Sequence, residues 1–264
     1  MEPMIKIALR AARKAGENIV RASDELHRFE VKAKGVNNFV TEVDLNAEQE
    51  IIYQLQKAYP DHAILGEESG FIGSEDAEYR WIIDPLDGTT NFVRGIPHYA
   101  VSIACMYRGK LEHAVIVDPV RQEEFTASRG RGAQLNGHRI RVSDLANLEG
   151  ALLGTGIPFK NHCDDKLEAY SKSIEVLASQ CAGIRRAGAA SLDLAYVAAG
   201  RLDAFWEIGL SSWDMAAGVL LVREAGGLVA DIDASDNYLD SGNIVCGNPK
   251  CFKAVLQVVK PLLS

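Results

Sequence analysis

Apolar positions recur at helical spacing twice near the start of the chain. Ile5, Ala8, Leu9, Ala12, Ala15 and Ile19 do so within residues 4–28, and Val43, Ala47, Ile51, Ile52 and Leu55 within 43–58. Two amphipathic helices are therefore predicted to lead the chain. The period then shortens: residues 63–66 and 80–84 read as strands. Segments 99–107, 111–117 and 123–127 follow, with Arg108-Gly109 and Asp118-Pro119 as turn signals, which predicts an antiparallel run. Past Gly150, strands (151–154, 183–186, 202–208) alternate with helices (166–180, 192–199, 213–225). Gly226-Gly227 stops the last of these before strands near 228–231 and 243–246 and a final helix from Pro249. This order predicts a layered α/β architecture with mixed sheets.

No Pro/Ser-rich or Gly/Ser-rich run, charge block or fixed-period repeat interrupts the pattern. The chain reads as one domain over 1–264, with an α+β half to about residue 150 and an α/β half from 151 to 264. With 47% hydrophobic and 24% charged residues, general disorder is excluded. The 28 Lys+Arg against 36 Asp+Glu give a net charge of −8, which repels phosphate backbones, so no direct DNA binding is expected and carboxylates are available for cations. No apolar stretch approaches the roughly 18 to 20 residues that span a bilayer, so no membrane partner is expected. The first 20 residues lack a leader's apolar core and read as the first helix of the mature fold. Five scattered cysteines (Cys105, Cys163, Cys181, Cys246, Cys251) without a C-x-x-C pair read as reduced, mostly buried thiols of a cytoplasmic protein, and no zinc site is expected.

The most informative segment is Trp81-Ile82-Ile83-Asp84-Pro85-Leu86-Asp87-Gly88-Thr89-Thr90-Asn91-Phe92, an apolar strand running into a turn and a short helix start. Asp84 and Asp87 lie three apart around a proline, so both carboxylates and the Leu86 carbonyl can face one point, the oxygen set that hard divalent cations take. Gly88-Thr89-Thr90-Asn91 offers free amides and hydroxyls to an anion. Taken singly, the same residues also serve as turn formers and helix caps. Of Glu67 and Glu68, at most one faces such a centre if the strand continues, and solvated carboxylates are the competing reading. Asp44 competes with capping of the second helix by Thr41, and Asp214 with a simple cap of its own helix. Asp203 and Glu207 share one face of their strand, with Glu207 at its functional end. Gly188-Ala189-Ala190-Ser191 admits either a ligand or a closely packed helix.

Other candidates are weaker. Ser128–Ala133 contains G-x-G without the dinucleotide fingerprint and reads as a β-turn. Neither the spacing of the six histidines (His27, His62, His98, His113, His138, His162) nor any G-x-S-x-G elbow suggests a metal or nucleophile site, and His98, close to the carboxylate turn, reads as structural.

These residues resemble the inositol monophosphatase family of magnesium-dependent, lithium-sensitive sugar-phosphate phosphatases. The resemblance rests on GEES at 66–69, WIIDPLDGTTNF at 81–92, the NG pair at 136–137 after G-x-G-A, and WDMAAGVLLVREAGG at 213–227, in the family's order across nearly the whole chain. It implies a layered α-β-α-β-α sandwich in which Glu67, Asp84, the Leu86 carbonyl, Asp87 and Asp214 hold two or three Mg²⁺ ions. Asp44 and Thr89, with Glu67, would activate the attacking water, and the backbone at Gly88 and Thr89 would hold phosphate. Asp87, Ala190, Glu207 and Asp214 would meet the hydroxyls of an inositol phosphate or similar sugar phosphate. Relatives acting on fructose bisphosphate, a nucleotide 3′-phosphate or NADP are the neighbouring alternatives, and a homodimer is implied. NNFVTEVD at 37–44 and LDLAYVAAGRLDAFWEIG at 192–209 are most similar to a bacterial branch of the family. That branch implies association with RNA polymerase and the Nus antitermination machinery in ribosomal RNA synthesis. The residues themselves add only scattered cations (Arg94, Arg129, Arg131, Arg185, Arg186), which also read as ordinary solvated arginines.

Overall fold

The computed structural model describes residues 2–24, 31–35, 38–158 and 166–264. Helix α1 (Pro3–Ser23) starts at a proline, whose missing N–H costs nothing in a first turn, and buries the predicted stripe from Ile5 to Ile19. Its expected continuation over 25–28 lies outside the described residues, as do His27, His162 and Cys163. A short hairpin, β1 (Val31–Gly35) with β2 (Asn38–Thr41), precedes α2 (Glu42–Ala58).

Strands β3 (Ala63–Gly66), β4 (Gly70–Ile72), β5 (Tyr79–Asp87), β6 (Ala100–Tyr107), β7 (Lys110–Asp118), β8 (Glu123–Ser128), β9 (Gly132–Leu135) and β10 (His138–Arg139) form one eight-stranded sheet. Its order is β10-β9-β8-β7-β6-β5-β3-β4. The antiparallel run holds from β5 to β10. It fails between β3 and β5, which pair in parallel: β4 folds back onto the outer edge of β3, so the chain must cross over before β5 can join the other side. The short strands β4 and β10 carry too little alternation to be predicted. Asn136 and Gly137, both with positive φ (50° and 78°), make the two-residue turn between β9 and β10.

The second sheet contains β11 (Leu152–Thr155), β12 (Gly183–Arg185), β13 (Ala204–Glu207), β14 (Leu228–Ala230) and β15 (Ile244–Gly247) in the order β12-β11-β13-β15-β14. It is mixed, with β11 parallel to β12 and β13, and β15 antiparallel to β13 and β14. The remaining helices are α3 (Thr89–Val93), α4 (Leu167–Ala178), α5 (Ala190–Ala198), α6 (Ser212–Glu224), α7 (Tyr238–Ser241) and α8 (Pro249–Leu263).

Strand alternation assigns the layers. Trp81, Ile83, Val101 and Ile103 face α1 and α2, whereas Ile82, Ala100 and Ala104 face α5 and α6. Phe205, Ile244 and Cys246 of the small sheet meet the same two helices from the other side, and Ala204, Trp206 and Val245 turn outward to α4 and α8. The result is the expected α-β-α-β-α sandwich, with α5 and α6 packed on both sheets. Among the described residues no helix is long and apolar enough to cross a membrane. Cys105, Cys246 and Cys251 are free and buried, and Cys181 is free and half-buried.

Candidate active site

Asp84 shares the face of Ile82 and so points toward the middle helices. Between Asp84 and Asp87 the pairing with β6 slips, because Pro85 has no N–H to give the ladder and Asp84 Oδ1 takes the Leu86 amide at 3.0 Å. This bulge turns both carboxylates toward Asp214, and one oxygen from each of Asp84, Asp87 and Asp214 lies within 4.8 Å of the others. Asp214 stands in the first turn of α6, where its Oδ2 accepts the Ser211 amide at 2.6 Å in a capping box. Capping the helix and joining the cluster are thus one placement, not alternatives.

Asp84 is 1% exposed and Asp87 8%. Burial pushes the Asp84 carboxyl well above its ordinary range, and Glu67, Asp87 and Asp214 push it further. Asp214 is raised by burial and then by Asp87, and also by Glu67, against the restraining Ser211 amide. Burial raises Asp87 to about 6, held back by the hydroxyl and amide of Ser191 and the amide of Ala190. Ser191 donates both groups to Asp87 Oδ2, at 2.5 and 2.8 Å. Buried like charges of this kind are stable together only with a compensating cation, and an all-oxygen donor set suits a hard divalent one.

Beyond the bulge, Gly88 takes φ +94°, and a Cβ there would stand 3.0 Å from the His98 carbonyl and 3.3 Å from Ala189 Cβ. The chain turns into α3 in that narrow gap. Thr89 Oγ1 donates to Asp44 Oδ1 at 3.1 Å and to the Leu86 carbonyl at 3.0 Å. Asn91 is buried and is not a cap: its Nδ2 donates to the carbonyls of His98, Ala187 and Gly188. It pins the loop before α5 beside the site. The Thr41 side chain, the expected cap, lies outside the described side chains.

Glu207 ends β13 on the middle-layer face, 8% exposed, and Ala190 opens α5. Burial raises Glu207 well above the ordinary range, followed by Asp193 and Asp214, with Arg186 opposing and Asp87 adding. A Cβ on Gly156 would fall 1.7 Å from Glu207 Oε1, so the carboxylate lies directly on that backbone. All the predicted site residues, Asp44, Glu67, Asp84, Leu86, Asp87, Gly88, Thr89, Ala190, Glu207 and Asp214, therefore meet around the bulge and the ends of α5, α6 and β13. Asp203 does not: its carboxylate takes Ser143 Oγ at 2.6 Å and the Leu152 amide at 2.7 Å. The amide of Glu68 donates to Glu48 Oε1. The G-x-G turn binds no ligand through Gly130 and Gly132, whose amides both donate to Glu224 at 2.7 Å.

Sequence reasoning missed Asp193 and Arg186. A single carboxylate inside the apolar run SLDLAYVAA was the available signal for Asp193. Arg186, exposed beside Gly188, gave none, since its sequence context is that of an ordinary solvated arginine.

A model of the inositol monophosphatase family matches residues 1–262. A Pseudomonas aeruginosa protein named Nus factor SuhB is 64% identical over 265 residues, covering 100% of this chain and 98% of its own. The crystal structure of extragenic suppressor protein suhB from Bartonella henselae superposes with a TM-score of 0.95 at 43% identity, covering 98% and 99% of the two chains. The inositol monophosphatase from Anabaena does so with 0.86 at 35%, covering 98% and 95%. On both sequence and fold, the chain belongs to the inositol monophosphatase family.

Proposed function

We propose that this chain is a metal-dependent phosphomonoesterase that hydrolyses myo-inositol monophosphate, or a closely similar sugar phosphate, to the alcohol and phosphate. The observation that carries this reading is the trio of buried Asp84 and Asp87 with half-buried Asp214, within 4.8 Å and beside the turn into α3. Glu67, Asp84, the Leu86 carbonyl, Asp87 and Asp214 would hold two or three Mg²⁺ ions. Bound magnesium supplies Lewis-acid stabilisation of phosphoryl charge and makes water a stronger acid. Thr89, hydrogen-bonded to Asp44, holds and orients the attacking water, and Asp44 with Glu67 takes up its proton. The amides at Gly88 and Thr89 bind phosphate oxygens. Ala190 and Glu207, with Asp87 and Asp214, hold the alcohol. Phosphoryl transfer asks mainly for positioning and charge, so no nucleophilic side chain is required. The test is phosphate release from inositol 1-phosphate with and without Mg²⁺: activity that requires the metal and is abolished in Asp84→Asn is expected. Metal-independent turnover, or full activity in the variant, would refute it.

A second role is favoured by the 64% identical relative named as a Nus factor. We infer a cytoplasmic homodimer that also joins an RNA polymerase–Nus antitermination complex, independently of catalysis. Asp87→Asn protein should still capture that complex from purified components, and capture by neither form would refute it.

A further inference from the structure

Helix α2 brings two buried carboxylates to the edge of the site, and only one of them has a part in the proposed chemistry. Asp44 and Glu48, 1% and 2% exposed, lie four apart and so on one face of the helix. Asp44 takes the Thr89 hydroxyl. Glu48 takes the turn that follows β3: its Oε1 accepts the Glu68 amide at 3.0 Å. A Cβ on Gly66 would stand 2.2 Å from the same Oε1 and 2.7 Å from the carboxyl carbon, so the carboxylate lies against the backbone there. Glu48 therefore meets both chain neighbours of Glu67. From the other side, the Glu67 amide donates to the Ile83 carbonyl at 3.2 Å, one step beyond the parallel pairing of Gly66 with Ile83. Residues paired across parallel strands share a face. Leu65 packs with its partner Ile82 on the middle-layer side, and by alternation Glu67 turns the same way, beside Asp84. Its charge there adds to the burial that raises Asp84 and Asp214.

We propose that Glu48 is a positioning residue for the metal: it fixes the backbone on either side of Glu67 and so holds the Glu67 carboxylate toward Asp84, where a divalent cation would meet both. The inference rests on the metal-dependent reading above and deepens it. A ligating carboxylate on a turn is free in its own torsions and in the backbone that carries it. Fixing that backbone before the ion arrives removes part of the ordering that binding would otherwise have to supply. An ionised acceptor makes the stronger hydrogen bond to an amide, which suits a carboxylate to this task. Burying one more carboxylate beside the cluster costs stability that an apolar side chain at this position would not, so the packing of α2 alone does not account for a glutamate here.

The test is Mg²⁺ binding by calorimetry, which needs no turnover, on wild type, Glu48→Ala, Glu48→Gln, Gly66→Ala and the double variant Glu48→Ala with Gly66→Ala. Glu48→Ala should raise the Kd for Mg²⁺ about tenfold, the lower range for loss of an outer-shell partner. Glu48→Gln keeps an acceptor oxygen and should lose less. Gly66→Ala reaches the same contact from the opposite side: its methyl displaces the Glu48 carboxylate, at a backbone conformation open to any residue. It should weaken binding too, and the double variant should be no weaker than Glu48→Ala, because both changes remove one contact. Ile51→Val, which thins the buried face of α2 one turn further on, should lower the melting temperature and leave the Kd in place. At saturating Mg²⁺, kcat of Glu48→Ala should return toward the wild-type value, since Thr89 and Asp44 are untouched. An unchanged Kd in Glu48→Ala or in Gly66→Ala, a Gln variant as weak as the Ala one, additive losses in the double variant, or an equal loss in Ile51→Val would each overturn the proposal. Those results would leave the phosphatase reading standing, whereas absence of Mg²⁺ binding to the wild-type protein would refute both.

Discussion

Thr89 of α3 donates its hydroxyl proton to Asp44 of α2 across 3.1 Å, joining residues 45 positions apart. The same oxygen lies 3.0 Å from the Leu86 carbonyl, so its direction is fixed from two sides. Both partners are acceptors facing the one hydroxyl proton, so the oxygen keeps its lone pairs for a water in the cleft. Asp44→Asn should lower kcat for phosphate release by about 10², the lower range for loss of a positioned base. Thr89→Ala should do the same, whereas Thr89→Ser keeps the hydroxyl and should retain most activity. Equal losses in the Ala and Ser variants would show that the methyl, not the hydroxyl, matters.

Asp84, Asp87 and Asp214 repel one another in the metal-free protein, so removal of one charge should relieve strain. In EDTA at neutral pH, Asp84→Asn is expected to be more stable than wild type by about 1–2 kcal/mol. Wild type should gain the larger rise in melting temperature on adding Mg²⁺, because only the native state offers the assembled donors. Thermal melts of both proteins, with and without metal, check the crossing. Parallel behaviour would mean that the trio is not where the cation binds.

The parts of this molecule readable from sequence were those with a long, repeated signal. The stripe from Ile5 to Ile19 and the apolar strands from β5 to β8 are where local pattern and tertiary burial agree. The turn at 84–91 was legible because proline, glycine and two aspartates each restrict the backbone in a compatible way. What pattern could not supply was convergence: nothing local tells that Asp214 reaches Asp84 and Asp87, or that Asp203 is consumed by Ser143 and Leu152. Only the family resemblance brought those segments together. The parallel pairing of β3 with β5 was illegible for a like reason, since β4 is short and half-exposed and leaves no alternation to read.

His62 gives the fold a pH dependence separate from the site. Its Nδ1 accepts the Trp81 indole N–H at 3.1 Å, and its ring stacks 4.8 Å from Tyr59 and 4.6 Å from Tyr79. Burial pushes its pKa below 6.5, opposed by Asp61. The unfolded chain takes up this proton near 6.5 while the folded protein resists it to lower pH. The stabilisation is therefore complete above the unfolded value and lost as pH falls through the folded one. Urea midpoints between pH 7 and pH 5 should drop more steeply in wild type than in His62→Gln. Identical slopes would remove His62 from the account.

Gly156 is the position where backbone and site are least separable. Its φ is ordinary, so alanine there carries no backbone strain, but the new methyl would stand 1.7 Å from Glu207 Oε1 and 1.9 Å from the carboxyl carbon. The carboxylate has to swing away, at about 1–3 kcal/mol typical of overpacking. Gly156→Ala should therefore raise KM for inositol 1-phosphate more than for phenyl phosphate, with Mg²⁺ affinity nearly unchanged, because Asp84 and Asp87 are held by β5. Gly154→Ala is the matched control: its methyl meets Leu202 at 2.9 Å but Asp193 Oδ1 only at 3.6 Å. It should share the loss of melting temperature and keep the preference for the inositol ester. If both variants lost that preference alike, general loosening of β11 would explain the effect, and Glu207 would have no separate part in choosing the alcohol.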